Sequence, residues 1–142
     1  MPESKLRPDV TVDMMIDRAK GYLPDYMGVE PVEITAGKLV SRLSIKPHHT
    51  APNGFLHAAT VIALADTTCG YATFAHLPEG AKNFTTIELK SNHLGTAREG
   101  AIRATATAQH LGGRTHVWDA KVEDENTGKT IALFRCTQMI LT

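Results

Sequence analysis

The chain has 142 residues, of which 42% are hydrophobic, and its 15 basic and 15 acidic side chains leave a formal net charge of zero. That length suits one domain with a substantial core, and the charge balance argues against a nucleic-acid or anionic-membrane surface as a partner. The two cysteines, Cys69 and Cys136, sit in apolar segments without metal-type spacing, and the start MPESKLRPDV has no apolar stretch for a signal peptide, so buried free thiols and a cytoplasmic location are expected.

Residues 1–27 read as a loose tail followed by a short amphipathic helix. Its stripe is Val12, Met15, Ile16, Ala19, Tyr22 and Leu23, and Pro24 is expected to stop it. Val32, Ile34 and Ala36 are then expected to share one face of a first strand. Gly37-Lys38 reads as a hairpin turn and the stretch around Val40 as a second strand. Pro47 to Gly54, PHHTAPNG, is a loop by its punctuation.

The next stretch, His57 to His76, holds twelve residues of the apolar set and one formally charged side chain, Asp66. It predicts a helix over Ala58–Ala75 that is buried all round. It is long enough to span a bilayer, but Asp66, four threonines and seven Ala or Gly residues argue against that. Leu77 to Gly80 is a turn, and four strands are expected after it, at Phe84–Leu94, Ala101–Leu111, Thr115–Asp124 and Lys129–Leu141. The breaks Gly95-Thr96-Ala97, Gly112-Gly113 and Asn126-Thr127-Gly128 suggest that hairpins link all four. The expected architecture is therefore a single α+β domain, with an antiparallel sheet of five or six strands wrapped around one long central helix.

A lone carboxylate inside such a helix is costly unless it is bonded or faces a cavity. Asp66 is thus either a functional group or an N-cap or turn aspartate at a helix break, since Thr67, Thr68 and Gly70 follow it. His48 and His49 with His57 invite a metal reading, but adjacent side chains in an extended loop diverge and no carboxylate stands at ligand spacing. No metal is expected.

The run Gly54-Phe55-Leu56-His57-Ala58-Ala59, followed by Leu64-Ala65-Asp66, resembles a pattern of hotdog-fold proteins, G-x-x-H-G-G-x-x-x-x-L-x-D. More narrowly, the chain resembles the phenylacetate-pathway (PaaI-like) branch of the 4-hydroxybenzoyl-CoA thioesterase superfamily, from roughly Val29 to Ile140. The resemblance implies hydrolysis of an acyl-CoA, with coenzyme A as part of the substrate and no further cofactor. Two departures stand out. The family's Gly-Gly is Ala58-Ala59 here, and two methyl groups narrow the approach to the helix start. Asn53 directly precedes Gly54, off the spacing at which relatives place Asn or Gln.

Thioester hydrolysis needs a polarised carbonyl and a nucleophile. The amides of Ala58 and Ala59, at the positive end of the helix dipole, are candidates for the first role. Asp66 is the candidate base or nucleophile. Ala58 and Asp66 are eight residues apart, roughly 12 Å along a helix at about 1.5 Å per residue, too far for both to act on one carbon. A dimer with antiparallel central helices resolves this, and the resemblance implies the same dimer, often paired into a tetramer. His57 either orients the helix entry or bonds to the loop. Relatives place a serine or threonine where Thr86 stands, although a β-branched strand residue is expected there anyway. Asn53, Gly54 and Arg114 are the substrate-binding candidates; Arg114 falls where relatives meet the nucleotide of coenzyme A, or is a solvated turn cation. A hotdog hydratase or dehydratase, and a non-catalytic acyl-CoA or acyl-carrier binding module, are the alternatives.

Overall fold

The computed structural model describes residues 5–142. Helix α1 (Val12–Ala19) is capped by Thr11, whose side chain accepts the Met14 N–H at 3.1 Å, and it buries Met15. Pro24 does not stop this helix. It sits in the first turn of a second one, α2 (Leu23–Met27), where no intrahelical N–H is required, and Gly28 closes α2 in the left-handed conformation. The sheet then begins with β1 (Val29–Thr35) and β2 (Lys38–Ser44), joined by the two-residue loop Ala36-Gly37. The turn lies one residue earlier than the sequence suggested because Gly37, at φ 75°, supplies the left-handed position inside it. The expected inward face of β1 also differs. A bulge between Pro31 and Glu33 breaks the alternation, so Pro31 is buried and Val32 is exposed.

Helix α3 spans Ala58–Ala75, the range expected. Its buried threonines satisfy their hydroxyls locally: Thr68 donates to the Leu64 carbonyl at 2.6 Å and Thr73 to that of Cys69 at 2.8 Å. The helix is not buried all round. Val61, Leu64, Ala65, Cys69 and Ala72 are buried, whereas Ile62, Ala63, Asp66, Thr67, Gly70, Tyr71 and Phe74 form a half-open side.

Strands β3 (Asn83–His93), β4 (Ala101–Leu111), β5 (Thr115–Asp124) and β6 (Thr130–Leu141) complete a six-stranded antiparallel sheet in the order β1-β2-β4-β5-β6-β3. Of these four strands, only β4, β5 and β6 are linked by hairpins. The expected hairpin between β3 and β4 does not form, because β3 pairs with β6 and becomes an edge. The sheet packs on α3 through Leu39, Leu43, Ile102, Ala104, Ala106, Trp118, Val122, Ile131 and Cys136, all buried. Small residues on both surfaces, Ala65 and Ala72 on the helix with Ala104 and Ala106 on β4, let helix and sheet approach closely, and Trp118 fills the space beside them. Each fully buried Leu or Ile here contributes on the order of 1.5–3 kcal/mol. No helix among the described residues is long and apolar enough to cross a membrane.

Candidate active site

Asp66 projects from the half-open side of α3. Its Oδ1 is buried and has no hydrogen-bond partner among the described residues, and burial pushes its pKa up. It is therefore neither a cap nor a turn aspartate, and the helix runs through it unbroken. A cavity of about 320 Å³ opens beside it, with Thr86 of β3 also in its wall. The remaining wall is largely aromatic or small: Tyr22 and Pro24 from the α1–α2 segment, Gly70, Tyr71 and Phe74 from α3, and Phe84 from β3. Gly70 matters here, since a Cβ at that position would touch the Phe84 ring at 3.4 Å. Tyr71 lies under the same wall, and burial followed by the charge of Asp25 pushes its phenol up.

The helix start is built separately. His57 is the N-cap, and its Nδ1 accepts the Ala59 N–H at 2.9 Å, which places the imidazole proton of the neutral ring on Nε2. That bond occupies one of the two amides expected to polarise a carbonyl. The Ala58 N–H, at the first helical position, has no partner among the described residues, and Ala58 is exposed. Sequence reasoning missed the role of His49. Its Nδ1 accepts the Lys46 N–H at 2.9 Å and its Nε2 donates to the Met27 carbonyl at 2.7 Å, while its own carbonyl accepts from His57 N and Thr60 Oγ1. Both ring nitrogens are thus engaged in bracing the loop against α2 and α3, and burial lowers the pKa of the ring.

His57 and Ala59 line a second cavity of about 390 Å³, shared with Leu23, Met27, His48 and Ala63. Within this chain, then, Asp66 and Thr86 line one cavity, and the helix start lines another. Asn53 turns back on its own loop, its Oδ1 accepting the Phe55 N–H at 3.1 Å, and Gly54 occupies a left-handed turn position at φ 85°. Arg114 is exposed in the β4–β5 turn, and neither cavity includes it.

Sequence reasoning also missed Gln138. It is completely buried on β6, and its Oε1 accepts the Thr86 hydroxyl at 2.7 Å. The signal was present: Phe134, Cys136 and Ile140 share its inward parity, so a polar residue there breaks an apolar alternation.

Comparisons with known proteins bear on this arrangement. Residues 53–131 match the family model described as the thioesterase superfamily. A 1,4-dihydroxy-2-naphthoyl-CoA hydrolase of Listeria monocytogenes is 32% identical over 115 residues, covering 81% of this chain and 92% of that one. A mutant of the thioesterase PA1618 from Pseudomonas aeruginosa superposes with a TM-score of 0.90 at 25% identity, over 96% of this chain and 97% of that one. The Escherichia coli PaaI protein of the phenylacetic acid degradation operon shares the fold, with a TM-score of 0.80 at 19% identity over 93% and 97%.

Proposed function

The chain belongs to the thioesterase superfamily, and we propose that it hydrolyses an acyl-CoA thioester with Asp66 as general base. Acyl-S-CoA and water give a carboxylic acid and free CoA thiol. Asp66 takes one proton from water as the water oxygen attacks the thioester carbon. The negative charge that develops on the carbonyl oxygen is held by the free Ala58 N–H at a helix N-terminus. The C–S bond then breaks, and the proton on Asp66 passes to the departing thiolate.

The observation that carries this reading is the half-buried Asp66 carboxylate, its buried Oδ1 unpartnered among the described residues, in the wall of a cavity large enough for an acyl group. Its separation from the helix start supports a composite site, in which Asp66 of one protomer faces Ala58 of its partner in a homodimer. The aromatic wall of Tyr22, Tyr71, Phe74 and Phe84 favours an aromatic acyl group, since ring pairs contribute roughly 0.5–1.5 kcal/mol beyond area burial. The naphthoyl substrate in the Listeria relative's name is consistent with that class.

Free-thiol release from a panel of benzoyl-CoA, 1,4-dihydroxy-2-naphthoyl-CoA and straight-chain acyl-CoAs tests the proposal. Turnover of the aromatic members at the highest kcat/KM is expected. Saturable binding of every member without thiol release would leave a binding module in place of an enzyme, and addition of water to an unsaturated acyl chain without thiol release would make it a hydratase.

A further inference from the structure

Gln138 of β6 lies directly across from Thr86 of β3, and β3 bulges immediately after Thr86. Bulges of this kind re-aim side chains beside sites. On the other side of β6, His116 of β5 is the cross-strand partner of Gln138 and is likewise buried. A primary amide in such a place costs free energy unless both ends are bonded. Here the Oε1 accepts from Thr86 Oγ1 at 2.7 Å and the Nε2 donates to Cys136 Sγ at 3.6 Å. The amide is thereby oriented with its acceptor toward the cavity wall.

A hydroxyl has a single proton. Thr86 donates that proton to Gln138, so what it presents to the Asp66 cavity is an acceptor oxygen. We propose that Gln138 is a positioning residue for the hydrolysis: it takes the Thr86 proton, and Thr86 Oγ1 then accepts one hydrogen of the water whose other hydrogen goes to Asp66. This rests on the reading of Asp66 as general base. With both hydrogens held, the water presents a lone pair to the thioester carbon. The second hydrogen stays on the attacking oxygen and ends in the carboxylic acid product. Were the amide reversed, its N–H would face Thr86, and the freed hydroxyl proton would compete for the lone pair that must attack.

The test is a double-mutant cycle of Gln138→Met and Thr86→Val, run on the fastest acyl-CoA of the panel with rates normalised to folded protein. Each single variant is expected to lower kcat about tenfold while KM moves less than about twofold, the size of effect one well-placed hydrogen bond supplies. The double variant is expected to be no slower than either single one, because both changes remove the same interaction. Gln138→Glu keeps an acceptor oxygen and is expected to retain kcat within about threefold. Additive losses in the cycle overturn the proposal, as does a Gln138→Glu enzyme as slow as Thr86→Val, the outcome that decides the matter should Gln138→Met fail to fold. Hydrolysis that Asp66→Asn abolishes, together with an additive cycle, removes the positioning role alone. Absence of Asp66-dependent thiol release in the wild type removes both readings.

Discussion

A carboxylate with one buried, unbonded oxygen on an otherwise regular helix contributes nothing to holding that helix together. Asp66→Asn separates catalysis from structure for that reason. Turnover is expected to fall by roughly 10²–10⁴, as for a positioned base, while the melting temperature stays level or rises. The sign follows from the raised pKa. A carboxyl whose folded pKa exceeds its unfolded value stabilises the fold only at low pH, and that stability is lost as pH rises through the folded pKa. At neutral pH the asparagine variant is spared the loss. The same shift places the acid limb of kcat/KM above the ordinary aspartate range near about 3.9. An Asp66→Asn protein that melts earlier yet turns over at close to the wild-type rate would assign Asp66 to the framework.

At the scale of elements, α3 serves two surfaces with different demands. Its sheet side is close-packed, whereas its open side carries Gly70 at mid-helix, where glycine costs roughly 1 kcal/mol relative to alanine. An added Cβ would meet the Phe84 ring at ordinary contact distance, so the backbone tolerates it, but both residues line the Asp66 cavity. Gly70→Ala is therefore expected to raise the melting temperature by a few degrees and to raise KM for a bicyclic aromatic acyl-CoA more than for a short aliphatic one. Equal KM values across the panel would show that the acyl group binds elsewhere. His57 makes a comparable compromise at the helix start, since by capping Ala59 it leaves only the Ala58 N–H for the donor role proposed above.

At the scale of the whole molecule, the proposed composite site makes a prediction about mixtures. Proline is well tolerated at the first helical position, where Ala58 stands, and has no N–H. Ala58→Pro and Asp66→Asn proteins are each expected to be nearly inactive. Unfolded and refolded together, they should recover about a quarter of wild-type activity, since half the dimers are mixed and each mixed dimer has one intact site of two. A mixture as inactive as its components would place both groups in one protomer's site. The open edge of β3, with Ile87 and Leu89 exposed, is the surface a second sheet would cover.

The domain as a whole is also expected to be acid-sensitive. Burial, then the neighbouring His76 and His110, lower the pKa of His116 from 6.5 to about 4. His76 is neutral in the fold as well, its Nε2 accepting the Gly37 N–H at 2.9 Å and its Nδ1 bonding the Ala72 carbonyl at 2.7 Å. For such groups the unfolded chain binds more protons, so stability is full above about pH 6.5 and falls as pH drops toward 4. His116 alone accounts for about 3 kcal/mol across that window. Denaturant unfolding at pH 7 and pH 5 should show the loss, and a His116→Gln variant should show a shallower one.

The limits of α3, β4 and β5 were legible in the residues, because helix and strand periods and turn glycines act over a few positions, whereas Thr86 was a candidate only through the family resemblance. Coarse function was legible through the family resemblance that Gly54–Ala59 and Leu64-Ala65-Asp66 carry, a pattern confined to the entry and first turns of one helix. What the chain does between distant segments was not. The pairing of β3 with β6, the bulges at Val32 and Ile87, and the open side of α3 depend on contacts far apart in sequence. The amides at the helix start looked equivalent until the His57 ring was seen to take one of them. Gln138 stood out only as a broken alternation, and its partner became known once β3 lay beside β6, because a hydrogen bond across 52 residues is decided by sheet order and register.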